Sequence, residues 1–259
     1  MSSNDVEDLS PLASLVNLQE LLMPNNLITD ISALEGLVSL VKIDFESRAG
    51  CYAETRPRNR IFDIAALSGL ISLEDVDFYG NEIEDISPLS SLANLTHLCL
   101  TGNRIQDVSP LAGLTNLREL ALTANCIENV QSLAGLMNLE ILSLNSNLIE
   151  DISPLARMTR LYYLVLSENR IEDIAPLSGL TEMEQLSLDD NRISDVTPLA
   201  SMNDMWLLYL QRNRISDIRP LADLSSLGLL NISGNPLNED ALNVYIPALL
   251  ERGVDVTWE

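Results

Sequence analysis

Asparagine recurs at a fixed step of 22 residues, at Asn81, Asn103, Asn125, Asn147, Asn169, Asn191, Asn213 and Asn235. Upstream, Asn4 and Asn26 are also 22 residues apart, and Asn26 to Asn59 is 33, one step plus 11 extra residues. Aliphatic residues keep the same beat. One unit reads Leu95-x-x-Leu98-x-Leu100-x-x-Asn103-x-Ile105-x-x-Val108-x-x-Leu111-x-x-Leu114, and the frame repeats through Leu139, Leu142, Leu144, Asn147, Ile149, Ile152, Leu155 and Met158. With Met or Phe as occasional substitutes it runs from Leu18 to Leu237. Self-similarity at one period restricts the chain to a stack of like supersecondary units, each covering its neighbour's apolar face.

The spacing dictates the contents of a unit. Leu-x-Leu alternation places two side chains on one face of a short strand. A 22-residue return brings the next strand alongside, parallel, at about 4.8 Å. Asparagine falls where the chain turns out of the strand and backbone groups lose their ladder partners. A buried amide carries both a donor and an acceptor and can satisfy them. Asn26, Asn59, Asn81, Asn103, Asn125, Asn147, Asn169, Asn191, Asn213 and Asn235 are therefore expected to form a structural ladder, with no catalytic role.

Ser87-Pro88, Ser109-Pro110, Ser153-Pro154 and Thr197-Pro198 predict short helical turns, with the hydroxyl residue as cap and proline in the first helical position. Asp85, Asp107, Asp151, Asp173, Asp195 and Asp217 lie two residues earlier. Their register reads as local backbone bonding, with a calcium ladder as the alternative.

This pattern resembles the leucine-rich-repeat family in its 22-residue form, and the stretch Asn147 to Leu155 resembles the internalin and phosphatase-regulator type of unit. The resemblance spans residues 4 to about 238. It implies an α/β leucine-rich-repeat solenoid, with a curved parallel sheet on the concave side and short helical or 3-10 turns on the convex side. Residues 1–238 would form about 11 units, interrupted by an insertion within 46–58. Residues 239–259 would form a helix-strand cap: Leu242, Ile246 and Leu249 on one helical face, a stop at Gly253, then Val254, Val256 and Trp258 in alternation. Internalin-type proteins are expected to carry an N-terminal cap as well. Here Leu9, Leu12, Leu15 and Leu18 have no helix before them, which suggests a truncated or covered end.

Charge narrows the partners. The formal net charge is −23, and Lys42 is the single lysine. Such a chain repels phosphate backbones and anionic lipid heads, so nucleic-acid and membrane-surface binding are disfavoured. No apolar run is long enough to span a bilayer. Cys51, Cys99 and Cys126 do not make a disulfide framework. Unpaired cysteines and a start without signal features favour a cytoplasmic setting, with a secreted or surface setting if the chain is truncated. A monomer is expected unless the N-terminal end self-associates.

The resemblance places the residues between the strand leucines on the concave face. Ile141, Tyr163, Val165, Leu207 and Tyr209, with Trp206 nearby, make its C-terminal half apolar; Asp75, Asp77 and Glu119, with Asp44, make its N-terminal half acidic. Exposed aromatics on a fixed sheet are the usual material of interface hot spots. The expectation is a partner protein with an apolar or basic face. The insertion brings Arg48, Tyr52, Arg56 and Arg58 together in a second candidate binding element.

Catalysis finds little support. His97, the only histidine, lies near Asp75, Glu119 and Cys99, and these could converge on a metal such as zinc. A solvated histidine beside carboxylates is the competing reading. No phosphate loop or nucleophile elbow appears, and no cofactor is expected. The reading is a non-catalytic, bacterial-type recognition or scaffold module. Its alternatives are an internalin-like surface adhesin, an intracellular phosphatase-regulator-like scaffold and a metal-dependent activity at His97.

Overall fold

The computed structural model describes residues 4–46 and 59–259. The chain divides into two compact units, Met1–Ile127 and Glu128–Glu259.

In the first unit the described strands are β1 (Glu20–Leu22), β2 (Lys42–Asp44), β3 (Asp75–Asp77), β4 (His97–Cys99) and β5 (Glu119–Ala121). Each pairs with the next in parallel, and the buried middle residues align: Leu21 with Ile43, Ile43 with Val76, Val76 with Leu98, Leu98 with Leu120. The second unit repeats the plan with β6 (Ile141–Ser143), β7 (Tyr163–Val165), β8 (Gln185–Ser187), β9 (Leu207–Tyr209), β10 (Leu229–Asn231) and β11 (Asp255–Thr257). Opposite the strands, each repeat makes a 3-10 turn of three to five residues, such as Ser87–Ser91 or Ser153–Leu155. The core between the two sides is almost purely aliphatic, and most of its side chains are wholly shielded.

The asparagines form the expected ladder. The Asn103 amide donates to the carbonyls of Phe78 and Leu100, both at 3.0 Å, and its oxygen accepts the Ile83 N–H at 3.0 Å. Asn191 does the same with Leu166, Leu188 and Ile171. One side chain thus ties two successive repeats at the strand exit. Asn125 and Asn235 make the same bonds while only half-buried.

Two expectations change. Serine does not cap the short turns; aspartate does. Asp85, Asp107 and Asp151 each accept the N–H of the first turn residue at 2.8 Å, and the serine hydroxyl merely donates to the same carboxylate. The bond persists where no hydroxyl exists, as in Asp63 to Ala65 and Asp173 to Ala175. A carboxylate two residues ahead reaches the N–H as an Asx turn. In the C-terminal cap, Ala241, Ile246 and Leu249 face the core, and Leu242 is exposed. The turn Ala241–Tyr245 is a π-turn, which takes five residues where an α-turn takes fewer and so shifts the buried face by one position. Gly253, at φ +84°, ends the helix Ile246–Glu251 and releases the chain into β11. At the other end Leu9 is buried, Leu12 and Leu18 are half-buried, and Leu15 is exposed.

Candidate functional site

In each strand the middle residue enters the core and its two neighbours stand on the open face, mostly half-buried. Parallel pairing lines these neighbours up in rows about 4.8 Å apart.

In the first unit the rows run Glu20, Lys42, Asp75, His97, Glu119 and Leu22, Asp44, Asp77, Cys99, Ala121. Lys42 pairs with Asp75, and that hydrogen bond holds the ammonium above its ordinary range. His97 places Nε2 3.4 Å from Glu119 Oε1 and Nδ1 2.8 Å from the Thr96 hydroxyl. Burial, followed by the charge on Asp77, pushes the Cys99 thiol up to about 11. It stays protonated near neutrality, which is unfavourable for a nucleophile or metal ligand.

The convergent metal-capable group among the described residues is Asp44, Glu46 and Asp77, with ligand atoms within 4.8 Å of one another. The set His97, Asp75, Glu119 and Cys99 does not come together in this way. No motif in the sequence marks the former trio, although Asp44 and Asp77 share a row. Both carboxylates work locally: Asp44 accepts the Glu46 N–H at 2.9 Å and Asp77 the Tyr79 N–H at 2.7 Å. Arg48, Tyr52, Arg56 and Arg58 lie outside the described residues.

In the second unit the rows run Ile141, Tyr163, Gln185, Leu207, Leu229 and Ser143, Val165, Ser187, Tyr209, Asn231. The expected apolar face is present as two patches. Ile141, Tyr163 and Val165 form one, Leu207 and Tyr209 the other, with polar β8 between them. Register places Leu229 beside Leu207 and extends that patch. Trp206 is 44% exposed just before β9, and its carbonyl accepts the N–H of Gly228. The same bond recurs at Trp206 and Glu184, which donate to the carbonyls of Glu184 and Tyr162 at 2.9 Å.

Among the described residues no helix is long and apolar enough to cross a membrane.

The family Leucine Rich repeats (2 copies) matches residues 93–135, 115–157, 138–179 and 159–201. A comparison with curated proteins finds no match. Among solved structures, an internalin (inlF) from Listeria monocytogenes is similar at 33% identity and a TM-score of 0.90, covering 98% of this chain and 71% of its own. An internalin C2 from the same organism is 36% identical, with a TM-score of 0.65, covering 78% of this chain and 83% of its own. A leucine-rich-repeat protein of Leptospira interrogans shares the fold at 22% identity and a TM-score of 0.80, covering 100% of this chain and 71% of its own. The fold of this family is generally a protein-interaction scaffold rather than an enzyme. From the asparagine ladder to the strand register and these likenesses, the chain belongs to the leucine-rich-repeat proteins of the internalin type.

Proposed function

We propose that this chain is a non-catalytic recognition module that binds a protein partner on the open face of its strands, the face assigned to the concave side in the sequence reading. The observation that carries this reading is the pair of apolar patches on the second unit. Tyr163, Tyr209, Ile141, Val165 and Leu207 stand on a face whose packing is already complete beneath them, with exposed Trp206 nearby. Rigid aromatics on a preformed sheet lose little entropy when a partner covers them. The acidic rows of the first unit favour a partner that also has a basic face.

Of the two settings for such a module, membership in the internalin type supports a surface adhesin over an intracellular scaffold. Digestion of intact producing cells with added protease tests this: loss of the chain supports the surface setting, and full protection removes it.

Capture tests the binding reading. The immobilised chain retains a partner from extract, Tyr163→Ala with Tyr209→Ala loses it, and Glu182→Gln, on an exposed site away from the strands, keeps it. Retention by the double variant, with its melting temperature unchanged, contradicts the assignment.

A further inference from the structure

Phe62 breaks the repeat pattern on the side of the first unit away from the strands. The corresponding position in other repeats holds Glu84, Gln106, Glu150, Glu172, Ser194 or Ser216. Phe62 is 63% exposed, while Ile61 before it and Ile64 after it are in the core. The fold therefore gains nothing from this ring, and an exposed aromatic is unfavourable in water.

A second departure lies beside it. Most repeats place proline second in the 3-10 turn, as at Pro88, Pro110 and Pro154; the two neighbouring turns here have Ala33 and Ala66. A groove of about 530 Å³ lies here, lined by Phe62, Ala65 and Ala66 on one side and by Thr29, Ser32 and the carboxylates Asp30 and Glu35 on the other, with Asp63 adjoining. Among the described residues lining it, none is basic. Asp30 and Asp63 each use one oxygen to cap a turn, at 2.8 Å from the N–H of Ser32 and of Ala65. Their negative charge still faces the groove.

We propose that this groove is a second docking surface, separate from the strand face, and that it takes a protein segment presenting lysine or arginine beside an apolar side chain. The apolar group packs against Ala65 and Ala66. The cation stacks on the Phe62 ring and is drawn by three carboxylates, so the two attractions act together. An anionic segment would meet those same charges and be rejected.

The test is an NMR titration of the ¹⁵N-labelled full chain with the peptide acetyl-Arg-Leu-Arg-amide. Saturable shifts are expected at the amides of Phe62, Asp63, Ala65 and Ala66. Affinity should fall about fivefold in Phe62→Ser, the loss of one exposed cation–aromatic contact. Acetyl-Glu-Leu-Glu-amide should leave these amides unmoved, and acetyl-Arg-Gly-Arg-amide should bind more weakly. Phe62→Thr repeats the comparison if the serine variant does not fold. Absence of saturation at the groove overturns the proposal, as does equal binding by the glycine peptide with no effect of Phe62→Ser, which marks diffuse attraction to an acidic protein. Self-association of the chain that Phe62→Ser abolishes also overturns it, because the occupant is then a second copy.

Discussion

Among the described residues, the one just before each ladder asparagine from Asn26 and from Asn81 to Asn235 adopts a left-handed backbone. Gly80, Gly102 and Gly234 do so at φ +73°, +68° and +70°, without a steric cost. Asn25, Ala124, Ser146, Glu168, Asp190 and Arg212 do so at φ between +52° and +55°. For a residue with a Cβ this conformation is unfavourable by roughly 1–2 kcal/mol, less for asparagine and aspartate. The neighbouring repeat enforces it: the N–H of Ser146 donates to the Ser167 carbonyl at 2.9 Å, and that of Glu168 to the Asp189 carbonyl at 2.9 Å. Side chains use the same row, with Ser146 bonded to Glu168 and Asp190 paired with Arg212. Ala124 has no polar side chain to offset the strain. Ala124→Gly should raise unfolding stability by about 1 kcal/mol in urea titration, the strain relieved less the flexibility glycine adds to the unfolded chain. Gly102→Ala should lower it, since a Cβ there enters a left-handed site 3.5 Å from Gly80 Cα. The sequence announced the asparagines and hid this position. Recurring asparagine is one residue type in one register, whereas the residue before it changes identity from repeat to repeat, and three glycines among nine sites do not stand out.

At the level of elements, the short turns are held at their start by carboxylates. In Asp107 and Asp151 the backbone N–H of the serine two residues on, then its hydroxyl, hold the acid below the ordinary range; in Asp195 the Thr197 hydroxyl contributes most, then the N–H. An acid whose folded value is depressed contributes stability that is complete above its unfolded value, about 3.9. That contribution is lost as pH falls through the folded value. Chemical denaturation between pH 7 and pH 2 should therefore show a decline in stability below about pH 4, beneath the range in which neutralising surplus carboxylates relieves like-charge repulsion. Asp107→Asn, Asp151→Asn and Asp195→Asn combined should flatten that decline, because asparagine accepts the N–H without titrating. The row of aspartates was legible in the sequence, and so were the turns they begin. Which residue supplied the cap was not, because Ser-Pro is itself a good helix start and only the geometry shows the serine already inside the turn. The C-terminal cap failed in the same way by one position: a 3.6-residue period selects Leu242, and a π-turn selects Ala241.

For the whole molecule, charge is the property felt everywhere. A net charge of −23 on 259 residues repels itself in the compact state. Salt should relieve this, so the melting temperature should rise between 10 mM and 200 mM sodium chloride as the screening length shortens toward about 8 Å. A fall over that range would mean that pairs such as Lys42–Asp75 and Arg60–Glu82 outweigh the general repulsion. The repeat, its strands and its ladder were all readable, because a 22-residue period written ten times leaves no competing arrangement for the leucines. The face that meets a partner was readable only as a set of candidates. The 22-residue step already aligns its rows, in which Gln185 and Ser187 divide the apolar set and Leu229 follows Leu207. Hydroxyl-radical footprinting of the complex with the captured partner tests the strand face most directly. Labelling of Tyr163, Trp206 and Tyr209 should fall several-fold on binding, while Tyr245 in the cap stays as it was; unchanged labelling of those three side chains in a saturated complex would contradict the account.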